Sequence, residues 1–189
     1  MARAGLSLRR LAEAGAELAD EEGFAALTPS ELARRVGVRT ASLYSHVRSA
    51  QDLREQVALL ALEEMADLLG DALAGRSGRD ALVALAGVYR DYARAHPGRY
   101  EASRLRMDPT VAATSAGPRH AVLTRAVLRG YGVEGDDQTH GVRLVGSTVH
   151  GFVSLELAGG FAHSTPEAQE SWERVLDGVD LVLRTWGEN

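Results

Sequence analysis

The sequence predicts an all-α fold, and three observations carry that expectation. Apolar residues recur at three- and four-residue spacings along nearly the whole chain. Strand-like alternation is missing, and the residues between the apolar stripes are those that start and stop helices. The expected layout is about nine helices. Residues 1–50 form an amino-terminal three-helix domain with a helix-turn-helix, followed by a helical body over residues 51–189.

Taken in order, Ser7 can cap a first helix whose stripe is Leu8, Leu11, Gly15 and Leu18, with Gly23 ending it. Between Thr28 and Val47 the signals are denser. Thr28 suits a cap, Pro29 the first helical position, and Glu31 the carboxylate of a capping box. Leu32, Ala33 and Val36 share one face, and Gly37 stands where a left-handed residue commonly ends a helix. Val38 then plugs the turn. Leu43 and Val47, four apart, turn the next helix's core face inward and leave Thr40, Ala41, Ser42, Tyr44, Ser45 and His46 facing outward. Two short helices joined this way allow one to brace on a DNA backbone while the next enters the major groove.

Further along, Ser49 and Asp52 open a long helix through Leu53, Val57, Leu60, Met65, Leu69 and Leu73, broken at residues 75–78. A stripe of Leu82, Leu85, Tyr89 and Tyr92 runs to His96-Pro97, where the residue before proline avoids the α region. A short helix over 98–105 precedes a loop at 108–118, which holds two prolines. Another helix, 119–129, stops at Gly130 and Gly132. Two long helices close the chain. One covers 136–157; the other has Thr165 as its cap and Pro166 at its first position, and carries Trp172, Val175, Leu176, Val179, Leu183 and Trp186.

Composition narrows the function classes. With 45% apolar residues among 189, the chain can bury a large core. It has no apolar run of membrane length and no secretory signal core near its start, which predicts a soluble, cytoplasmic protein with no membrane partner. Zero cysteines removes disulfides and thiolate metal sites. The six histidines show no metal-ligand spacing, and neither a phosphate loop nor a nucleophile elbow occurs. The expectation is no metal, no cofactor and no catalytic residues. All 21 basic residues are arginine, and the net charge of −5 argues against coating nucleic acid by bulk charge. Within residues 24–50, however, Arg34, Arg35, Arg39 and Arg48 face Glu31 alone, four against one, leaving +3. A compact positive patch on an acidic body suits contact with a short DNA site.

Gly23-Phe24, Thr28, Glu31-Leu32-Ala33, Gly37-Val38, Leu43-Tyr44, His46 and Asp52-Leu53 together resemble the DNA-binding pattern of the TetR (tetracycline-repressor-like) family of bacterial transcriptional regulators. The resemblance covers roughly residues 6–55, and the helical layout beyond fits that family's ligand-binding and dimerisation body. Val149-His150-Gly151-Phe152 also resembles a Trp-His-Gly subgroup, with valine in the tryptophan's place. Two positions depart from the family: Val47 stands where an aromatic residue usually follows the histidine, and Ala50 where a lysine is common.

The resemblance implies a homodimeric regulator, most often a repressor, that binds near-palindromic double-stranded operator DNA and is released by a small-molecule effector. A helical small-molecule-binding or interaction protein without operator binding is the alternative. Arg39, Thr40, Ala41 and Ser42 begin the recognition helix; Arg39 suits guanine recognition or a phosphate grip equally. Tyr44 and His46 resemble the family's phosphate-contacting pair, against plain surface packing. Thr28 and Ser30 can donate to phosphate at a helix start, where capping alone also explains Thr28, and Arg48 can replace the missing lysine. Tyr89, Tyr92, Tyr100, Arg104, Met107, His150 and Phe152 are the effector-pocket candidates, each competing with a core role. Val149, Phe152, Trp172, Val175, Leu176, Val179 and Leu183 are the expected dimer interface. Gly141, Gly146 and Gly151 would permit close helix approach at separate points.

Overall fold

The structure, a computed structural model, describes residues 6–188. The first five residues of the start searched for a secretory signal lie outside them. Among the described residues there are ten α-helices, one short 3-10 helix and no strand. In chain order they are α1 (Leu8–Glu22), the 3-10 turn Phe24–Ala26, α2 (Pro29–Val36), α3 (Thr40–Leu43), α4 (Ala50–Leu73) and α5 (Gly78–Ala95). Then follow α6 (Pro97–Ala102), α7 (Pro109–Thr114), α8 (Gly117–Arg129), α9 (Asp137–Leu157) and α10 (Ala168–Gly187).

Three differences from the sequence expectation have local causes. The segment expected as a loop at 108–118 contains α7, because the Asp108 carboxylate accepts from the Thr110 amide at 2.8 Å and Pro109 takes the first helical position. No residue of α7 is buried, so this helix has caps but no core face. The last helix begins after Glu167 rather than after Thr165, so Pro166 precedes it. The second helix of the helix-turn-helix is a single turn, with a turn conformation at Tyr44–His46 in place of a longer helix.

The chain divides into two compact units, Met1–Glu64 with Ala95–Ala116, and Met65–Arg94 with Gly117–Asn189. In the first, α1 buries Leu11, Ala12, Gly15, Ala16, Leu18 and Ala19 in a core shared with Phe24, Leu27, Leu32, Leu43, Val47, Leu53 and Val57. Small residues on α1 let neighbours come close. A Cβ on Gly98 of α6 would stand 2.0 Å from the Ala19 carbonyl oxygen, so only glycine fits there. Asp20 anchors the same contact: it accepts from the Arg99 amide at 2.9 Å and lies 3.1 Å from His96 Nδ1. Arg99 also reaches Glu64 of α4 at 3.2 Å. Tyr100, fully buried on α6, has its hydroxyl pKa pushed up to about 12 by burial.

In the second unit α8 packs on α9, and α10 on α9. Gly141 of α9 lies against Leu128 of α8, where a Cβ would come within 2.8 Å of a methyl carbon. Arg90 of α5 is almost fully buried, an arrangement that requires pairing. Its guanidinium grips the Glu156 carboxylate at 2.6 and 2.9 Å and donates to Gln169 at 2.7 Å. It also lies 4.9 Å over the Trp172 ring, so one side chain joins α5, α9 and α10. Arg90 and Arg94 hold the Glu156 carboxyl below its ordinary range, chiefly through the Arg90 hydrogen bonds.

Candidate nucleic-acid interface and effector cavity

The helix-turn-helix is set by caps at both ends of α2. The Glu31 amide donates to Thr28 Oγ1 at 3.2 Å, the geometry of an N-cap, while the Glu31 carboxylate turns to Arg34. At the other end Gly37 is left-handed (φ 69°), and the Val38 amide reaches the Ala33 carbonyl at 3.0 Å while Gly37 reaches Arg34 at 3.3 Å. Both bonds belong to a Schellman closure. The chain therefore turns sharply into α3, where Leu43 and Val47 are buried. Val47 is 1% exposed and packs in the core of the first unit.

With those two anchored, Ala41, Ser42, Tyr44 and Ser45 are exposed and Thr40 and His46 half-buried. Tyr44 keeps 51% of its surface, a large exposure for a tyrosine beside a core residue. Arg39 precedes α3, exposed, and makes no ion pair among the described residues. Ser30 is exposed in the first turn of α2.

The charge on this surface is smaller than the sequence count of +3 suggests. Arg35 turns back to α1 and pairs with Glu21 at 2.7 Å and Glu17 at 3.3 Å. Arg34 pairs with Glu31 and approaches Glu22. Arg48 spans the buried Asp52, whose carboxylate accepts the Arg48 amide at 2.7 Å and its guanidinium at 3.3 Å. Those bonds hold the Asp52 carboxyl below the usual range. Arg48 still projects into solvent, with 82% of its side chain exposed. Apart from Glu31, already in that count, the acidic partners lie on α1 and at α4, out of reach of a count confined to residues 24–50.

The second unit contains a cavity of about 230 Å³ among α5, α8 and α9. Leu85, Val142, Val145 and Val149 give it apolar walls, and Gly146 opens one side. Its polar wall is a cluster from three helices. Tyr89 Oη lies 2.7 Å from His120 Nδ1, and the Tyr89 ring meets His150 edge-on at 5.2 Å. No aspartate, glutamate, lysine or arginine lines it among the described residues.

Of the seven effector candidates, Tyr89 and His150 line this cavity. Tyr92 is buried on α5, and Phe152 stacks among Trp172, at 5.0 Å, and Phe161, at 4.8 Å. Tyr100, Arg104 and Met107 belong to the first unit, where the Arg104 guanidinium lies 5.2 Å over the Tyr100 ring. His120, absent from the sequence candidates, is the third member of the polar cluster. It sits on a helix remote in sequence from both partners, and no spacing rule connects them. Of the seven expected interface residues, six are buried within the single chain and Val175 is half-buried. The exposed apolar residues near the carboxyl terminus are instead Leu155 and Leu157 of α9 and Leu181 and Val182 of α10.

Comparison with known proteins places this arrangement. Residues 11–57 match the family described as bacterial regulatory proteins, tetR family, and residues 82–179 match the tetracyclin repressor-like, C-terminal domain. The chain belongs to the TetR family of transcriptional regulators. This TetR-family chain is 38% identical over 160 residues to the HTH-type transcriptional regulator Rv0681 of Mycobacterium tuberculosis, covering 82% of this chain and 72% of that one. It is 30% identical to the HTH-type regulator YobS of Bacillus subtilis over 185 residues, 97% of this chain and 92% of YobS. Among solved structures it shares the fold of the Streptomyces coelicolor TetR family protein ActR in complex with (S)-DNPA. The TM-score is 0.72 and the identity 19%, over 97% of this chain and 98% of ActR. The amino-terminal helix-turn-helix of this TetR-family regulator is its DNA-binding part. The relatives are transcriptional regulators rather than enzymes, and no helix among the described residues is long and apolar enough to cross a membrane.

Proposed function

We propose that this protein is a ligand-responsive repressor that binds a near-palindromic operator as a homodimer and is released by a small-molecule effector. The observation that supports this reading best is a helix-turn-helix and a partly open cavity in one chain, each in its own compact unit. Residues 1–50 carry the reading function and 51–189 the effector and pairing functions. Arg39, Thr40, Ala41 and Ser42 meet base edges, while Thr28, Ser30, Tyr44, His46 and Arg48 grip the flanking phosphates.

Pairing uses the outer face of α9 and α10 rather than the buried stripe. Gly151 and Gly178 face open space, where an added Cβ would meet nothing within 4 Å. Beside them stand Leu155, Leu181 and Val182, an apolar surface that a second copy of the chain would cover. Two-fold pairing sets two recognition turns about one helical repeat of DNA, or a multiple, apart. An effector in the body favours a conformation whose half-site spacing misfits the operator, and it shifts the equilibrium only by its differential affinity for the two states.

Binding to DNA upstream of its own gene tests the reading. A salt-sensitive, sequence-dependent complex is expected. Tyr44→Phe weakens binding on every sequence, whereas Arg39→Ala also relaxes preference at one base position. Parent-like binding by both variants would show that α3 does not meet DNA in this register.

A further inference from the structure

We infer that the cavity among α5, α8 and α9 takes a neutral, one-ring aromatic ligand bearing a single hydroxyl group. This rests on the reading of the second unit as the effector-binding body. Size comes first. A dry cavity of roughly 150 Å³ holds benzene; at about 230 Å³ this one accepts a ring with about three further atoms. That is below the roughly 300–1,000 Å³ of pockets for drug-sized molecules, which favours a single ring over a polycyclic ligand.

Charge comes second. Carboxylates and guanidinium groups are both absent from the lining among the described residues. An ionised ligand would leave water without a fixed counter-charge, at a high desolvation cost. The lining's titratable side chains are Tyr89 from α5, His120 from α8 and His150 from α9. Thr124, the remaining polar side chain of the wall, donates its hydroxyl to the His120 carbonyl at 2.9 Å.

Specific contact comes third. The Tyr89–His120 pair brings a hydroxyl and a ring nitrogen to a lining that is apolar apart from Thr124 and His150, and a phenol hydroxyl can both donate and accept. A ligand hydroxyl joining that pair extends the chain of hydrogen bonds. The edge-on Tyr89–His150 contact shows that this wall already accommodates aromatic rings at the offset they prefer.

The test is calorimetric binding to the full-length protein, with p-cresol, toluene, benzoate and benzylamine as probes. p-Cresol should saturate at submillimolar concentration, and each of the others should bind about tenfold or more weakly, the loss of one hydrogen bond or the presence of an unpaired charge. Gly146→Leu fills the cavity from a position where a new side chain meets open space, and should abolish p-cresol binding while keeping the helical circular dichroism. Tyr89→Phe should bring p-cresol down to the affinity of toluene. Tighter binding of benzoate or benzylamine, p-cresol binding that survives Gly146→Leu, or no saturation by p-cresol at millimolar concentration would each overturn the assignment. Operator binding by the ligand-free protein is scored separately: its loss counts against the regulator reading, whereas its presence with p-cresol inert counts against the ligand class alone.

Discussion

Gly98→Ala is a sharp test of how α6 is held to α1. The new methyl would lie 2.0 Å from the Ala19 carbonyl oxygen, 2.1 Å from its carbon and 2.6 Å from the Asp20 nitrogen. Ordinary non-bonded separation is about 3.5 Å, so α6 must retreat by more than about 1 Å against backbone that cannot rotate away. Overpacking of this kind costs about 1–3 kcal/mol. The retreat also stretches the Arg99 amide bond to Asp20, now 2.9 Å; a hydrogen bond to a charged group contributes about 1.5–3 kcal/mol. Alanine's better helix propensity returns about 1 kcal/mol. The net expectation is destabilisation by about 2–4 kcal/mol, given that these losses are not fully additive. Gly87 on α5 is the matched control, because a Cβ there meets nothing within 4 Å, and Gly87→Ala should stabilise by about 0.5–1 kcal/mol. Urea denaturation of both variants at equal protein concentration reads the two signs. Equal midpoints for Gly98→Ala and the parent would refute the packing reasoning.

The remaining predictions concern pairing and charge. Leu181→Arg on the exposed face of α10 should halve the solution mass at micromolar concentration, measured by light scattering, without changing helical content. Arg90→Ala removes both short bonds to the Glu156 carboxylate, leaving Arg94 at 3.1 Å as a partner, and should cost about 3 kcal/mol in urea, the low end for breaking a buried pair. Since the folded Glu156 pKa is depressed, the stability it contributes is fully present above its ordinary value near 4.5. That stability is lost as pH falls through the lower folded value. Glu156→Gln should therefore show less acid destabilisation than the parent between neutral pH and pH below about 4.

Much of the fold was legible because its signals are local. The α2 caps, Gly37 and the Leu43–Val47 pair each involve residues within five positions, and the structure realises them as hydrogen bonds and burial. The segment 108–118 reads as a loop because Asp-Pro starts both turns and helices, and the Thr110 bond to Asp108 is what makes it α7. Non-local pairing was invisible. Arg35 faces carboxylates fourteen and eighteen positions away, and the Tyr89–His120 contact spans thirty-one. The stripe on α10 illustrates a further limit: periodicity marks a face that is buried, without saying whether the chain itself or a second copy buries it.

The pairing of Arg34 and Arg35 with glutamates also bears on how this regulator would find a site among the rest of a genome. Non-specific retention on DNA grows with each phosphate neutralised, the logarithm of affinity changing by about 0.9 per phosphate for each decade of salt. With two arginines committed to neighbouring carboxylates and Arg48 shared with Asp52, Arg39 is left as the uncommitted cation of this segment among the described residues. Such a surface would hold random sequence weakly. In the proposed dimer, occupancy would then depend on both half-sites being engaged together, and a change in the spacing between two reading turns would act on a complex with little electrostatic adhesion to overcome.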